Sequence, residues 1–306
     1  MPSKDRRRAR IVRTRLPVVP LMLISWIVIA ACVTSPSSGP SAAPTPTRTQ
    51  IPTPTPAVPR DLTVLLAGDS VPLHLEETLA TVARRRMGWK VVSAAVPACS
   101  IYGDALAWAD GTPHGDLDHC PGAVDKTQRS MVRRADPDVV IWWDRLSTLP
   151  FFTDDGASVR GGSRRFWALR AIAFEETFAR LTAGGARVVF VSTEPIGIGV
   201  LEHCVGWERR GCREWKRFRM RHYADITQPM NRIMWRYAAA HPDAAVFISI
   251  TDSICRRNVS PCDDRLWNRQ LARPDGTHYL RRGAVRAARA IVREMRTALY
   301  GEAFRP

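Results

Sequence analysis

Residues 61–70 read Asp61-Leu62-Thr63-Val64-Leu65-Leu66-Ala67-Gly68-Asp69-Ser70. The stretch from Leu62 to Ala67 is short, apolar and partly β-branched, and it stops at a glycine. An unbroken apolar run of this kind is how a parallel strand covered on both faces reads. Residues 72–87 follow with Leu73, Leu75, Leu79 and Val82 as apolar positions of a helix. A strand running straight into a helix is the first half of a βα unit.

The unit recurs along the chain. Residues 89–94 predict a second strand, followed by a long loop with Cys99, Gly103 and Cys120 and a helix over 123–134. Asp138-Val139-Val140-Ile141-Trp142-Trp143 is the clearest strand, and a Gly/Asp-rich loop occupies 150–162. Ser163 is placed to cap a helix that Gly184-Gly185 would stop. Strands at 187–191 and 245–248, a helix near 226–240 and a last helix over 282–299 complete the series. Right-handed crossovers deposit helices on both faces, so the expected fold is a flavodoxin-like three-layer α/β/α sandwich with a five-stranded parallel sheet. Functional groups of such sheets gather beyond the carboxyl ends of the strands, which singles out the residues after strands one, three and five.

Upstream of this domain, taken as residues 61–306, the chain reads as address and tether. Six arginines between Arg6 and Arg15 precede a mostly apolar stretch over residues 16–31, broken by Pro17 and Pro20 and followed by Cys32. A spanning helix takes about twenty apolar residues, more than are present here. Ile29-Ala30-Ala31-Cys32 resembles a lipoprotein cleavage box in which Cys32 is lipidated, and a plain signal-anchor fits as well. On either reading residues 1–32 direct the rest of the chain out of the cytoplasm. Residues 33–60 are Pro/Thr/Ser-rich, a composition that forms extended spacers.

The seven cysteines leave six once Cys32 is assigned to the signal. They form three near-neighbour couples, Cys99 with Cys120, Cys204 with Cys212 and Cys255 with Cys262, as disulfides of an exported chain would, each contributing roughly 2–3 kcal/mol. None has CxxC spacing or a histidine at ligand distance, so no metal is expected, and no cofactor is implied. His114 and His119 lie among Asp110, Asp116 and Asp118 in a loop that reads as solvated. The chain holds 45 Lys+Arg against 29 Asp+Glu, a formal charge of +16. No nucleic-acid-binding motif accompanies that charge, so a polyanionic cell-envelope surface is the expected neighbour and nucleic acid is not.

Ser70 stands where strand one meets a helix N-terminus, a place whose backbone N–H groups favour a developing oxyanion. A helix N-cap is the bland alternative for that serine. Near the other end of the domain, Arg273-Pro274-Asp275-Gly276-Thr277-His278 precedes the last helix, and a single loop can present Asp275 and His278 together. A serine nucleophile needs a base, and the base needs a carboxylate to hold its tautomer. His74, one turn into the first helix, reads as a rim residue. Trp108, Trp142, Trp143, Trp207 and Trp215 divide between core and platforms for sugar rings.

Gly68-Asp69-Ser70 and Asp275-Gly276-Thr277-His278 resemble the first and last blocks of the SGNH/GDSL hydrolases. With the Cys-bearing loops, the chain is similar more narrowly to the extracytoplasmic SGNH domains of membrane acyltransferases that O-acetylate bacterial envelope glycans. The resemblance implies a catalytic triad of Ser70, His278 and Asp275, with Gly103 or the loop Val96-Pro97-Ala98-Cys99-Ser100 supplying an oxyanion N–H. The family's third block carries an Asn, whereas here strand three ends Trp142-Trp143-Asp144-Arg145. Arg145 would then donate to the oxyanion, or Asp144 would accept from a sugar hydroxyl, or neither would act. The implied function is a serine esterase or O-acyltransferase working on O-acyl, chiefly acetyl, groups of an envelope carbohydrate. A separately encoded membrane acyltransferase is the partner this implies, and a non-catalytic module binding glycan or protein is the alternative.

Overall fold

The computed structural model describes residues 61–301 apart from 109, 115–117, 203–220 and 258. The expected signal with Cys32, the linker, the Cys204–Cys212 couple, Trp207 and Trp215 lie outside the described residues. Five parallel strands form the main sheet: β1 (Thr63–Gly68), β2 (Lys90–Ser93), β3 (Val139–Trp143), β4 (Arg187–Val191) and β5 (Ala245–Ile248). Their order across the sheet is β2-β1-β3-β4-β5. The direction of winding therefore reverses between β1 and β3, and a crevice opens at that point.

Both faces of the sheet are buried because successive side chains alternate. Val64 and Leu66 of β1, Val139, Ile141 and Trp143 of β3, and Val189 and Val191 of β4 enter one core. Helices α1 (Ser70–Met87) and α5 (Arg282–Tyr300) cover it with Leu75, Leu79, Ala287, Ile291 and Met295. Leu65, Val140, Trp142, Val188 and Phe190 enter the other core, under α2 (His119–Ala135), α3 (Arg164–Leu181) and α4 (Gln228–Ala240). The three-layer sandwich is thus the observed fold. Ser163 caps α3 as expected, its hydroxyl accepting from the Phe166 N–H at 3.1 Å.

Two differences from expectation bear on the site. Part of the loop over 150–162 pairs instead: Phe151–Phe152 lies between Ala105–Leu106 and Ser158–Val159 in an antiparallel sheet. Two-residue strands carry too little pattern to be seen in sequence. Helix α2 also begins at His119 and so includes Cys120, whose disulfide to Cys99 pins the loop after β2. Cys255–Cys262 is likewise bonded. Among the described residues no helix is long and apolar enough to cross a membrane.

Candidate active site

The loop after β1 is shaped by contact with β3. Gly68 has φ +150°, and a Cβ there would collide with the Trp143 carbonyl, so only glycine fits the first position of the motif. Asp69 caps α1 by accepting from the Val71 N–H at 2.8 Å. Its other oxygen accepts from the Arg145 and Leu146 N–H groups at 2.7 and 3.0 Å, tying the loops after β1 and β3 together. Asp69 therefore takes the capping role that the sequence left open for Ser70. The serine is the first residue of α1 and its hydroxyl is left for another partner.

That partner is His278, whose Nε2 lies 2.9 Å from Ser70 Oγ. His278 Nδ1 lies 2.6 Å from Asp275 Oδ2. With the ring proton on Nδ1, the imidazole donates to Asp275 and accepts from Ser70. Asp275 Oδ1 accepts from the Thr277 and His278 N–H groups at 2.8 and 2.7 Å, which fixes the turn bearing both residues. Gly276, at φ +80°, packs against the Gly197 carbonyl and Val200, where a side chain has no room. Burial pushes the Asp275 carboxyl up, but the hydrogen bond with His278 and the two backbone N–H groups more than offset this and hold it below the usual carboxylate range.

Ser70 and His278 open into a pocket of about 440 Å³ that also takes in His74, Ala98, Trp108, Arg145 and His222, with Asp275 held on the imidazole's other nitrogen. His74 stacks on the His278 ring with centroids 4.6 Å apart, from an exposed rim position. Trp108 is 44% exposed and packs on His114 at 4.1 Å, giving the pocket an aromatic wall. Trp142 and Trp143 belong to the core instead.

The oxyanion candidates need two corrections. Gly103 does not line the pocket; its N–H donates to the Ser100 carbonyl at 3.0 Å and the residue packs beside Val124. Ala98 does line it, with φ +61° and an N–H that has no hydrogen-bond partner among the described residues. Asp144 is only 5% exposed and turns away from the pocket, accepting from the Ser147 N–H at 2.8 Å beside the Asp69 carboxyl. Arg145 lines the pocket, whereas the buried Asp144 does not and cannot reach a sugar there. Burial, and then the charge of Asp69, push the Asp144 carboxyl well above its ordinary range.

Sequence reasoning missed the ionic support beneath the pocket. Glu194, just past the end of β4, is fully buried and stands 3.3 Å from Arg145 Nη2 and 3.5 Å from Arg273 Nη1. Arg273 is fully buried too, donating to Asp264 Oδ2 at 3.0 Å and to the Pro195 carbonyl at 2.8 Å. The strand-end rule applied to the fourth strand would have pointed to Glu194. Its partners, Arg145 well before it and Arg273 well after it in the chain, left no local signal.

Several solved structures are similar to this chain at low identity. The periplasmic domain of a lipopolysaccharide acetyltransferase from Salmonella ser. Paratyphi A is 12% identical, with 76% of this chain and 82% of that one covered and a TM-score of 0.45. A Slackia heliotrinireducens protein assigned to the SGNH hydrolases is 17% identical over 77% of this chain and 100% of its own, with a TM-score of 0.43. A GDSL-like lipase from Bacteroides thetaiotaomicron is 15% identical over 77% and 89%, with a TM-score of 0.41. No curated protein matches. Residues 32–293 match the family of SGNH domains fused to AT3 domains, and the chain belongs to that family.

Proposed function

We propose that this protein is an extracytoplasmic serine esterase or O-acyltransferase that handles O-acyl groups, chiefly acetyl, on a cell-envelope carbohydrate. The observation that carries the proposal is the continuous line Ser70 Oγ, His278 Nε2, His278 Nδ1 and Asp275 Oδ2, at 2.9 and 2.6 Å. Ser70 attacks the acyl carbonyl while its proton passes to His278 Nε2. The tetrahedral oxyanion is met by the Ser70 and Ala98 N–H groups and by the Arg145 guanidinium. His278 then protonates the departing sugar oxygen, leaving an acyl-serine. Water or a second sugar hydroxyl gives its proton to His278 and attacks that ester, and His278 returns the proton to the departing Ser70 oxygen as the acyl group leaves on the new acceptor. Ionised Asp275 stabilises the imidazolium in both halves.

Export is supported by the basic and apolar N-terminus, the Pro/Thr/Ser-rich spacer and the two disulfides among the described residues. Residues 1–32 would anchor the chain, with Cys32 as the lipidated residue if the cleavage box is used, and a separately encoded membrane acyltransferase would supply the acyl group for transfer.

A second reading is a non-catalytic glycan- or protein-binding module. One observation favours it: the residue in the place of the family's Asn, Asp144, is buried away from the pocket. A fluorophosphonate probe separates the two. Labelling of the wild type and not of Ser70→Ala supports the enzyme, and a folded protein that resists labelling supports the binding module.

A further inference from the structure

Helix α5 carries Arg282, Arg286, Arg289 and Arg293 at spacings of four, three and four, which place them along one face. At 1.5 Å per residue the stripe is about 16 Å long. All four are exposed, while Ala284, Ala287, Ala288, Ile291 and Met295 turn the opposite face into the core. The stripe lines a groove of about 610 Å³ whose other wall includes Ser253 and Trp267. Trp267 is 83% exposed, and the Arg282 guanidinium stacks over its ring at 5.2 Å.

The charges in this groove are poorly matched from within. Arg293 pairs with Glu294 at 2.7 Å, and Arg286 donates to the Ser253 carbonyl. Among the described residues Arg282, Arg286 and Arg289 have no carboxylate partner. Uncompensated guanidiniums in a row repel one another and favour any ligand that brings regularly spaced anions, which they meet with charge-assisted forks. A second hollow of about 310 Å³ shares Leu266 and Arg282 with the groove and reaches Pro274, the neighbour of Asp275. A linear chain filling both hollows would run up to the catalytic loop.

We propose that the Arg282–Arg293 stripe and Trp267 form a binding site for an anionic polysaccharide, with guanidiniums on its carboxylates or phosphates and the indole on a sugar ring. A bilayer is a poorer fit, because the outward face is arginine and the apolar face of α5 is already buried in the core. A single-stranded nucleic acid is also a poorer fit, since its sites stack successive bases on several aromatic rings and this groove offers one. The site stands independently of the chemistry at Ser70.

Calorimetric titration with polygalacturonate, its methyl ester, phosphatidylglycerol vesicles and a single-stranded oligonucleotide tests it without reference to turnover. Polygalacturonate should bind in a salt-dependent way, and its methyl ester, the same sugar chain without charge, should not. Arg282→Glu combined with Arg289→Glu should weaken binding at least about tenfold. The same reversal at exposed Arg164 and Arg165, at the start of α3, should change binding less than about twofold, since it alters only net charge. Trp267→Ala should weaken binding while leaving its salt dependence unchanged. Equal losses from the two charge-reversal pairs, no loss from the α5 pair in a protein that melts like wild type, or tighter binding of the vesicles or the oligonucleotide would each overturn the proposal.

Discussion

Arg145 and Glu194 meet under the pocket, with Arg145 Nη2 3.3 Å from Glu194 Oε1. The same carboxylate oxygen lies 3.5 Å from Arg273 Nη1 and accepts from the Tyr279 hydroxyl. Arg145 is thereby held from below while its side chain stays 14% exposed in the pocket. If it donates to the oxyanion, Arg145→Ala lowers kcat on a short-chain aryl ester by about 10²–10³ with little change in KM. Arg145→Lys should recover part of the loss, and Glu194→Gln should lower kcat less than Arg145→Ala does. A rise in KM alone in Arg145→Ala would assign the guanidinium to substrate binding instead.

Removal of the nucleophile or the base should abolish turnover. Ser70→Ala and His278→Ala are expected to leave no measurable hydrolysis of that ester above buffer. Asp275→Asn should be less complete, because the amide keeps the geometry but no longer stabilises the imidazolium. Ester hydrolysis surviving in both Ser70→Ala and His278→Ala would place the chemistry elsewhere.

Asp144→Asn should stabilise the protein, and more so at neutral pH than in acid. An unfolded aspartate loses its proton near pH 4, whereas the buried Asp144 keeps it well above that. Over that window the native state binds more protons than the unfolded one, so this residue makes stability fall as pH rises. The amide cannot ionise, can accept from the Ser147 N–H and can donate to Asp69. Asp275 has the opposite sign: its lowered value adds stability that is present above about pH 4 and lost as pH falls towards the folded value. Thermal melts of the wild type and Asp144→Asn from pH 4 to 8 should diverge as pH rises, and parallel curves would show that Asp144 is ionised in the fold.

The two observed disulfides should differ in what their loss does. Cys99–Cys120 spans 21 residues of sequence, and replacing both cysteines by Ser should destabilise by about 3 kcal/mol. Cys255–Cys262 spans 7, for about 2 kcal/mol. Arg273 Nη2 lies 2.8 Å from Cys262 Sγ, so losing the second bridge should also disturb the base under Arg145 and lower kcat. Denaturation midpoints and kcat measured on the two paired variants check both halves, and unchanged kcat without Cys255–Cys262 would uncouple that loop from the site.

Much of the molecule was legible from local pattern. The strands at 187–191 and 245–248 fall where their apolar runs placed them, and β1, β2 and β3 differ only at their ends. A strand buried on both faces can hardly be written otherwise, and a cap such as Ser163 acts within one turn of its own position. Ser70, Asp275 and His278 were legible for a similar reason. Each lies in a short motif whose backbone geometry is set within a few residues, by Gly68, Asp69 and Gly276.

Tertiary structure alone decided the rest. The choice between Asp144 and Arg145 depended on which way a strand end turns after pairing with β1, and Gly103 was displaced from its expected role by a local bond to Ser100. The Glu194, Arg273 and Asp264 cluster joins residues as far apart as 194 and 273, and in sequence each is one more charge in a basic chain. Burial turns them into a support, because charges removed from water must find one another, and only the packed fold determines which ones are removed.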